Sequence, residues 1–290
     1  MRRIAWAALP AATALVCGCG AGLAGPPAAS QSPATPRASA TASPAPRSNQ
    51  ARSGILRSKV VAVDPGHNGG NSYAASAIGK LIWNGRETET CDTAGAETDG
   101  GYQEATFNWD VARYLTADLR AEGATVVLTR TSNTGVGPCV TERAAIGNQA
   151  RADAAISIHA DGGPPGGRGF AILEPVADGI NNVIIGPSAM LGTDLRAAFA
   201  ARTGEPVSSY DGINGLQPRD DLAGTNLSAV PKVFIECANM RNITDATLIT
   251  TASWQATAAR AIAAGLTNYL NAGRQLATPP RAAPAQRTRA

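Results

Sequence analysis

The sequence predicts an α/β fold, a three-layer αβα domain around a mostly parallel central sheet. Short apolar runs that end in Gly, Pro or polar residues are typical of buried strands, and they alternate along the chain with segments of helical periodicity. Because a helix between two strands carries the chain back across the sheet, this alternation favours parallel strands with helices on both faces. Between two Pro- and Ala-rich ends lie about 215 residues, enough for one domain with a substantial core.

The strands are predicted from their apolar runs and from the residues that stop them. The first run ends at Pro65-Gly66, and the last one follows Pro231. In chain order the predicted strands are Val60–Asp64, Ala124–Thr129, Ala154–Ile158, Gly169–Leu173 and Lys232–Ile235, with Val207–Tyr210 as a further candidate.

Four segments are predicted as helices. In the first, Phe107, Val111 and Leu119 recur at helical spacing, and Gly123 is the residue type that commonly ends a helix. The predicted helices are Glu104–Glu122, Thr141–Arg151, Ser188–Thr203 and Asp245–Leu270. The connection 68–103 is unusually long for such a fold, and connections of that length are usually functional or disordered.

Residues 1–19 are predicted to be a secretory signal peptide. Arg2 and Arg3 precede an apolar stretch, residues 4–16, that is too short to span a bilayer. Cys19 ends a pattern similar to the cleavage box of bacterial lipoproteins, which makes it a candidate for lipidation. The alternative is an ordinary signal peptide cleaved nearby. Either interpretation predicts export to the cell envelope or periplasm, and lipidation would anchor the chain to the outer face of the cytoplasmic membrane.

The charged residues are divided unevenly between the domain and its ends. Residues 20–54 and 272–290 are predicted to be disordered, the first as a Pro/Ala/Ser-rich linker and the second as a basic tail. All 22 acidic residues lie between positions 55 and 270, whereas nine of the 25 basic residues lie in the two ends. The domain, predicted over 55–271, is therefore acidic. Its basic tails are either solvated or in contact with anionic wall polymer or lipid headgroups. Nucleic acid is not expected as a partner, because no basic stripe carries aromatic residues.

Three cysteines follow the signal region. Cys91 and Cys139 lie in polar, Gly- and Thr-rich segments, and we predict a disulfide between them, which an oxidising compartment permits. The closed loop would contribute about 4 kcal/mol in the chain-entropy model. Cys237 follows an apolar run and is predicted to be a buried free thiol rather than a nucleophile.

The chain contains only two histidines, His67 and His159, and each lies where an apolar strand ends. Imidazole is a common metal ligand, and α/β folds place their sites at strand ends. Two histidines and one carboxylate form a catalytic zinc set. Glu104, at the start of the first helix, is the best-placed carboxylate, although an acidic residue there also suits the helix dipole. The competing carboxylates are Asp64, Asp153 and Asp161.

Glu236 ends a strand that is apolar on both faces, where an unpaired carboxylate is costly. Burial raises the pKa of such a group, which suits a general base working near neutral pH. The alternative is a structural acid whose oxygens accept backbone hydrogen bonds. In the functional interpretation, zinc activates a water molecule, and Glu236 takes its proton and passes it to a leaving amine. That reaction is the hydrolysis of an amide.

Together these segments resemble the zinc-dependent N-acetylmuramoyl-L-alanine amidases of the bacterial cell wall, in particular the short, exported, single-domain mycobacterial-type enzymes. The resemblance covers about residues 57–270 and rests on Asp64–Gly69, Glu104, Ser157–Asp161 and Pro231–Met240. It implies a mostly parallel sheet of about six strands, and one Zn²⁺ per chain. The implied zinc ligands are His67, Glu104 and His159, and the implied catalytic acid/base is Glu236.

The resemblance also implies the substrate. The family cleaves the amide between the lactyl group of N-acetylmuramic acid and L-alanine of the stem peptide, in peptidoglycan or in muropeptides. Leu222–Leu227 resembles the family's substrate-side loop, which makes Asn226 a candidate for substrate binding.

Two rival interpretations use the same residues differently. A zinc carboxypeptidase or endopeptidase acting on the stem peptide could share the ligands, with Arg143 or Arg219 binding the free carboxylate of its substrate. A wall-binding lipoprotein with a decayed metal site is the second, but a binding module has no need of Glu236. A monomer is expected, since no sustained heptad pattern is present.

Overall fold

The computed structural model describes residues 54–272. The predicted signal peptide, nearly all of the predicted linker, and the predicted tail beyond residue 272 lie outside the described residues. The strands are β1 (Val60–Pro65), β2 (Leu81–Trp83), β3 (Thr88–Thr90), β4 (Thr125–Leu128), β5 (Ala154–Asp161), β6 (Ala171–Pro175), β7 (Leu216–Arg219) and β8 (Lys232–Asn239). The helices are α1 (Ala75–Ile78), α2 (Glu104–Ala121), α3 (Val140–Ala150), α4 (Ile185–Thr203), α5 (Ala223–Asn226), α6 (Ile243–Ile249) and α7 (Ala252–Asn271).

Six strands form the central sheet, in the order β4-β1-β5-β8-β6-β7. Every neighbouring pair is parallel except β6 and β8, which are antiparallel. The predicted α/β fold with a mostly parallel sheet of six strands is confirmed. β2 and β3 form a separate antiparallel hairpin within the long connection between β1 and α2.

The two faces of the sheet carry different side chains, because alternate residues of a strand point to opposite faces. On one face Val63, Ile156 and Val233 belong to the main apolar core, which includes buried residues of α2, α4 and α7. On the other face lie smaller apolar clusters and buried polar side chains, including Asp64 and Ser157. The polar residues of these strands therefore lie on the face opposite the main apolar core, so the core itself stays apolar.

The sixth strand is not the candidate segment Val207–Tyr210. Val207 makes only an isolated bridge to Phe170, and β7 begins nine residues later. The hydroxyl of Ser208 accepts hydrogen bonds from the backbone N–H groups of Tyr210 and Asp211, which turns the chain away from an extended course. The candidate strand is therefore wrong.

The long helix predicted over Asp245–Leu270 is also wrong, because two helices occupy it. The side chain of Asn242 caps the first of them, α6, and the chain breaks at Thr250 and Thr251 before α7. Both threonine hydroxyls donate to carbonyls of the preceding turn, a bond that competes with helical pairing.

None of the helices between residues 54 and 272 has both the length and the apolarity needed to cross a membrane.

Candidate metal centre

Three side chains meet at the carboxyl-terminal edge of the sheet. His67 follows β1, His159 lies in β5, and Glu104 is the first residue of α2. Glu104 Oε1 lies 2.8 Å from His159 Nδ1 and 3.2 Å from His67 Nε2. These three side chains each offer a ligand atom, and the atoms lie within 4.8 Å of one another. The structure thus brings together the three residues that the sequence analysis singled out.

Glu104 is held in place by donors from three directions. The backbone N–H of Ala96 donates to its Oε2 at 2.7 Å, and Asn108 Nδ2 and the N–H of Ala160 donate to its Oε1 at 3.2 and 3.3 Å. Burial opposes ionisation of Glu104, but the two histidines outweigh it and hold the pKa of the carboxyl well below its usual range. The carboxylate is therefore charged and fixed.

Each histidine has a hydrogen-bond partner on its outer nitrogen. His67 Nδ1 lies 3.2 Å from both Asp92 Oδ1 and the carbonyl oxygen of Thr93. His159 Nε2 lies 3.2 Å from Ser157 Oγ. When the outer nitrogen donates, the inner nitrogen of a neutral imidazole is a free acceptor, which is the form that binds a metal. His67 also has a left-handed backbone, with φ at 56°, and its carbonyl accepts from Arg143 at 2.8 Å.

The site fits a small divalent cation. Bonds of about 2.0–2.2 Å to a tetrahedral zinc ion would place ligand atoms about 3.3–3.6 Å apart. Glu104 Oε1 lies 2.8 and 3.2 Å from the two imidazole nitrogens, and all three ligand atoms lie within 4.8 Å of one another. Two glycines leave the necessary room: a Cβ at Gly66 would strike the ring of His159, and one at Gly95 would lie 2.7 Å from His67 Cδ2. Burial opposes a positive charge on His67, yet Glu104 and Asp92 outweigh it and raise the pKa of this imidazole to about 10. The local field thus favours positive charge.

Glu236 lies beside this cluster. It pairs in register with His159 across the parallel strands β5 and β8. Its Oε2 is buried and has no hydrogen-bond partner among the described residues, so the alternative of a structural acid satisfied by backbone donors does not apply to that oxygen. Burial, together with the negative charges of Glu104 and Asp161, raises the pKa of Glu236 well above its usual range.

Next to the two histidines lies a buried ion network centred on Asp64. Its carboxylate receives Lys232 Nζ at 2.9 Å, Arg143 Nη1 at 3.1 Å, and the hydroxyls of Thr129 and Ser157 at 2.6 and 3.0 Å. Burial opposes ionisation, but the two cations outweigh it and hold the pKa of Asp64 well below its usual range. Asp64 therefore supports the histidines through Ser157 and Arg143 and is not one of the clustered side chains.

A cavity of about 170 Å³ lies against His67 and His159, and its lining includes Asp64, Arg143 and Ser157 but neither Glu104 nor Glu236. Phe234, whose ring stacks on His159 at a centroid distance of 5.3 Å, is part of the lining. Its walls include Thr90 from the hairpin and Leu222–Gly224 from the start of α5. The long connection 68–103 therefore contributes both to the walls and, through Asp92 and Ala96, to the support of the cluster.

Comparison with known proteins agrees with this geometry. A profile of the N-acetylmuramoyl-L-alanine amidase family matches residues 61–268. N-acetylmuramoyl-L-alanine amidase Rv3717 of Mycobacterium tuberculosis is 38% identical over 232 residues, which cover 80% of this chain and 94% of that protein. The chain belongs to the N-acetylmuramoyl-L-alanine amidase family.

Solved structures place the fold in the same amidase family. The crystal structure of Ami1 from Mycobacterium smegmatis is 40% identical, with a TM-score of 0.71, and the match covers 75% of this chain and 99% of that one. The apo form of Ami1 from Mycobacterium abscessus is 37% identical, with a TM-score of 0.70 and coverage of 74% and 100%. The predicted family, fold class and enzyme class are confirmed.

Arg143 and Arg219 of the amidase are the predicted candidates for binding a substrate carboxylate, and they differ in whether their N–H groups are available. Arg143 is buried, and its five N–H groups have acceptors on Pro138, Asp64, Pro65, His67 and Asp92, which leaves it no donor for a substrate carboxylate. Arg219 ends β7, is partly exposed, and donates to both carboxylate oxygens of Asp221 at 2.7 and 2.6 Å. Of the two, only Arg219 stays a candidate.

Asn226 is fully buried at the end of α5, and its Nδ2 donates to the backbone oxygen of Asp220 at 2.8 Å. The cavity is lined instead by the residues that precede it in α5. Its role in substrate binding stays a prediction.

The structure contains the predicted disulfide between Cys91 and Cys139, and Cys237 is a buried free thiol as predicted. The sequence analysis missed Asp92 and Ser157 as partners of the histidines. Ser157 could have been found, because a residue two positions before His159 in a strand shares its face. Asp92 carried no such signal, since it lies in an irregular segment far along the chain.

Proposed function

We propose that this chain is a zinc-dependent amidase that hydrolyses the amide between the lactyl group of N-acetylmuramic acid and L-alanine of a stem peptide. The observation that carries the proposal is the cluster of His67, Glu104 and His159 with the unpartnered carboxylate of Glu236 beside it. Family membership supports the bond type, and the donor set of two imidazoles and one carboxylate supports zinc.

In the proposed mechanism His67, Glu104 and His159 hold the zinc ion. Bound there, zinc lowers the pKa of a water molecule and polarises the substrate carbonyl. Glu236 accepts the proton of the attacking water through its free oxygen and then delivers it to the nitrogen of L-alanine as the C–N bond breaks. The raised pKa of Glu236 suits both transfers, because the group can hold the proton between them.

The partners of the protein follow from this activity. The substrate is peptidoglycan or a muropeptide, with Arg219 and Asn226 as candidates for substrate contact. The site of action is the cell envelope outside the cytoplasmic membrane. Lipidation at Cys19 and a monomeric state stay predictions.

The proposal is tested by incubating the purified chain with a muramoyl peptide, with zinc or with a chelator, and identifying the products by mass. We expect a peptide with free N-terminal L-alanine and a muramoyl product carrying a lactyl carboxylate, both lost with the chelator. Release of D-alanine, or a cut inside the peptide, would favour the peptidase instead. Intact substrate with bound zinc would contradict the proposed activity.

Gly95 offers a test of the metal site that does not depend on turnover. We expect Gly95→Ala to weaken zinc binding by about 10- to 100-fold, since its Cβ would lie 2.7 Å from His67 and 2.8 Å from Glu104. Gly101→Ala is the matched control: the φ angles of the two glycines are +79° and +78°, but a Cβ at Gly101 meets nothing within 4 Å. Competition with a chromophoric chelator measures both affinities. Equal losses in the two variants would show that backbone strain, and not crowding of the ligands, is responsible.

A further inference from the structure

The outer nitrogen of His67 is supported by a single short segment of chain. Asp92 Oδ1, the carbonyl oxygen of Thr93 and the hydroxyl of Thr93 lie 3.2, 3.2 and 3.3 Å from His67 Nδ1. Asp92 is buried, and its second oxygen accepts from Arg143 Nη2 at 3.2 Å. The segment belongs to neither a strand nor a helix, so its position depends on what ties it down.

The disulfide is one of those ties, and it acts on both ends of this contact. Cys91 directly precedes Asp92, and Cys139 directly precedes α3, four positions before Arg143. Two backbone bonds reinforce the junction: the N–H of Val140 donates to the carbonyl of Cys91 at 2.8 Å, and the N–H of Arg143 donates to that of Cys139 at 3.0 Å. One covalent bond thus sets the distance between Asp92 and the arginine that orients it.

Other ties to the segment are single hydrogen bonds. The N–H of Asp92 donates to the carbonyl of Ile78 at 3.2 Å, and Asn71 Nδ2 donates to the carbonyl of Thr93 at 2.8 Å. Because these bonds come from the same long connection, they can shift together with the segment. The disulfide ties the segment to α3, which packs on the sheet, and it is the covalent member of a set that also includes the Val140–Cys91 hydrogen bond and the Arg143–Asp92 ion pair.

We infer that Asp92 is a positioning residue for His67, and that the Cys91–Cys139 disulfide contributes to metal affinity by holding Asp92 and Thr93 against that histidine. The inference rests on the proposed zinc site and adds a second role to a bond otherwise explained by stability alone. Its physical basis is that an acceptor on the outer nitrogen fixes the tautomer and the orientation of a ligating imidazole. The disulfide holds in place the segment that carries both acceptors, Asp92 Oδ1 and the carbonyl oxygen of Thr93.

The test measures the zinc affinity of three variants by chelator competition, together with the melting temperature of the metal-free chain and its increase on adding zinc. We expect Asp92→Asn to weaken zinc binding by about 10-fold and the double variant Cys91→Ala/Cys139→Ala by up to about 100-fold. The double variant should lose more, because Asp92→Asn leaves the Thr93 carbonyl in place. Asp99→Asn, which makes the same chemical change at an exposed position of the same connection, should bind zinc like the wild type.

A purely structural role would lower the melting temperature of the metal-free chain and leave its zinc affinity unchanged. The inferred role lowers the zinc affinity and the zinc-induced increase in melting temperature. Wild-type affinity in both variants would overturn the inference while leaving the proposed function intact. A wild-type chain that binds no zinc would contradict both. Should the double variant fail to fold, Asp92→Asn still decides the role of Asp92, and the zinc affinity of the wild-type chain before and after reduction of the disulfide decides the role of the disulfide.

Discussion

Glu236→Gln is expected to lower kcat by about 10²- to 10⁴-fold while the chain keeps its zinc. The amide has the size and shape of the carboxylate, but it cannot accept a proton from water or deliver one to the leaving nitrogen. The carboxylate that it replaces has a buried oxygen without a partner, so little structure depends on it. Turnover of a muramoyl peptide and the zinc content of the purified variant, measured on the same sample, check this expectation.

Glu174→Gln is a matched control for that variant. Glu174 lies in β6, is half-buried, and also has an oxygen without a partner among the described residues. Burial raises the pKa of Glu174 to about 7, so its chemistry is comparable, but it points to the face of the sheet that α4 covers, where its Oε1 lies against Gly192, and not toward the face that carries His159. It should retain near wild-type turnover. Full activity in Glu236→Gln would show that the proton acceptor is a different group, and loss of zinc would show that Glu236 supports the metal site instead.

The second large effect is on stability, and it is expected at Asp64. Replacing Asp64 with Ala leaves the buried cations of Lys232 and Arg143 without their shared partner, and breaking a buried ion pair in this way costs about 3–5 kcal/mol. Urea unfolding of the metal-free variant measures the loss. Asp220→Ala is the control, because Asp220 is exposed and lies 3.9 Å from Arg86, where a surface pair contributes about 0–1 kcal/mol. A loss below 1 kcal/mol at Asp64 would contradict the network described here.

The contribution of Asp64 to the free energy of unfolding should decrease as the pH is lowered. Its pKa in the folded chain is held far below the value of about 3.9 expected when the chain is unfolded. A carboxyl group whose pKa is lower in the folded chain stabilises the fold fully at any pH above its pKa in the unfolded chain. This stabilisation is lost progressively as the pH falls below that value. The difference in unfolding free energy between the wild type and Asp64→Asn should therefore be constant from pH 7 to about pH 5 and decrease below about pH 4. A constant difference down to pH 2 would contradict the assignment.

Local patterns were sufficient for the parts of this molecule that depend on local burial. Apolar runs and helical spacing located five of the six strands of the sheet and the helices α2, α3 and α4, since burial on one face leaves a period in the sequence. The same reasoning indicated His67, His159 and Glu236. Burying a polar side chain at the end of an apolar strand costs free energy unless the side chain is paired, hydrogen-bonded or bound to a metal. Parallel strands then bring such ends to one edge, where the structure places them together.

Only the tertiary structure could show the contacts made by segments without a regular sequence pattern. β7 was missed because its sequence, Leu216–Arg219, has no apolar run, and it forms by pairing with β6. The support of His67 by Asp92 was invisible for the same reason: a segment without periodicity is positioned by a disulfide and by hydrogen bonds to distant elements.

The sequence by itself determined the fold class, because burial on one face leaves a period in the sequence. Residue types and their flanking segments indicated the disulfide pair, and the family resemblance indicated the set of chemical groups in the site. The tertiary structure alone decided which atoms of those groups face one another. It assigned the inner nitrogens of the histidines to the cluster, the free oxygen to Glu236, and Arg143 to the support of the site. Such assignments depend on register and on the direction of each side chain, which are properties of the packed chain.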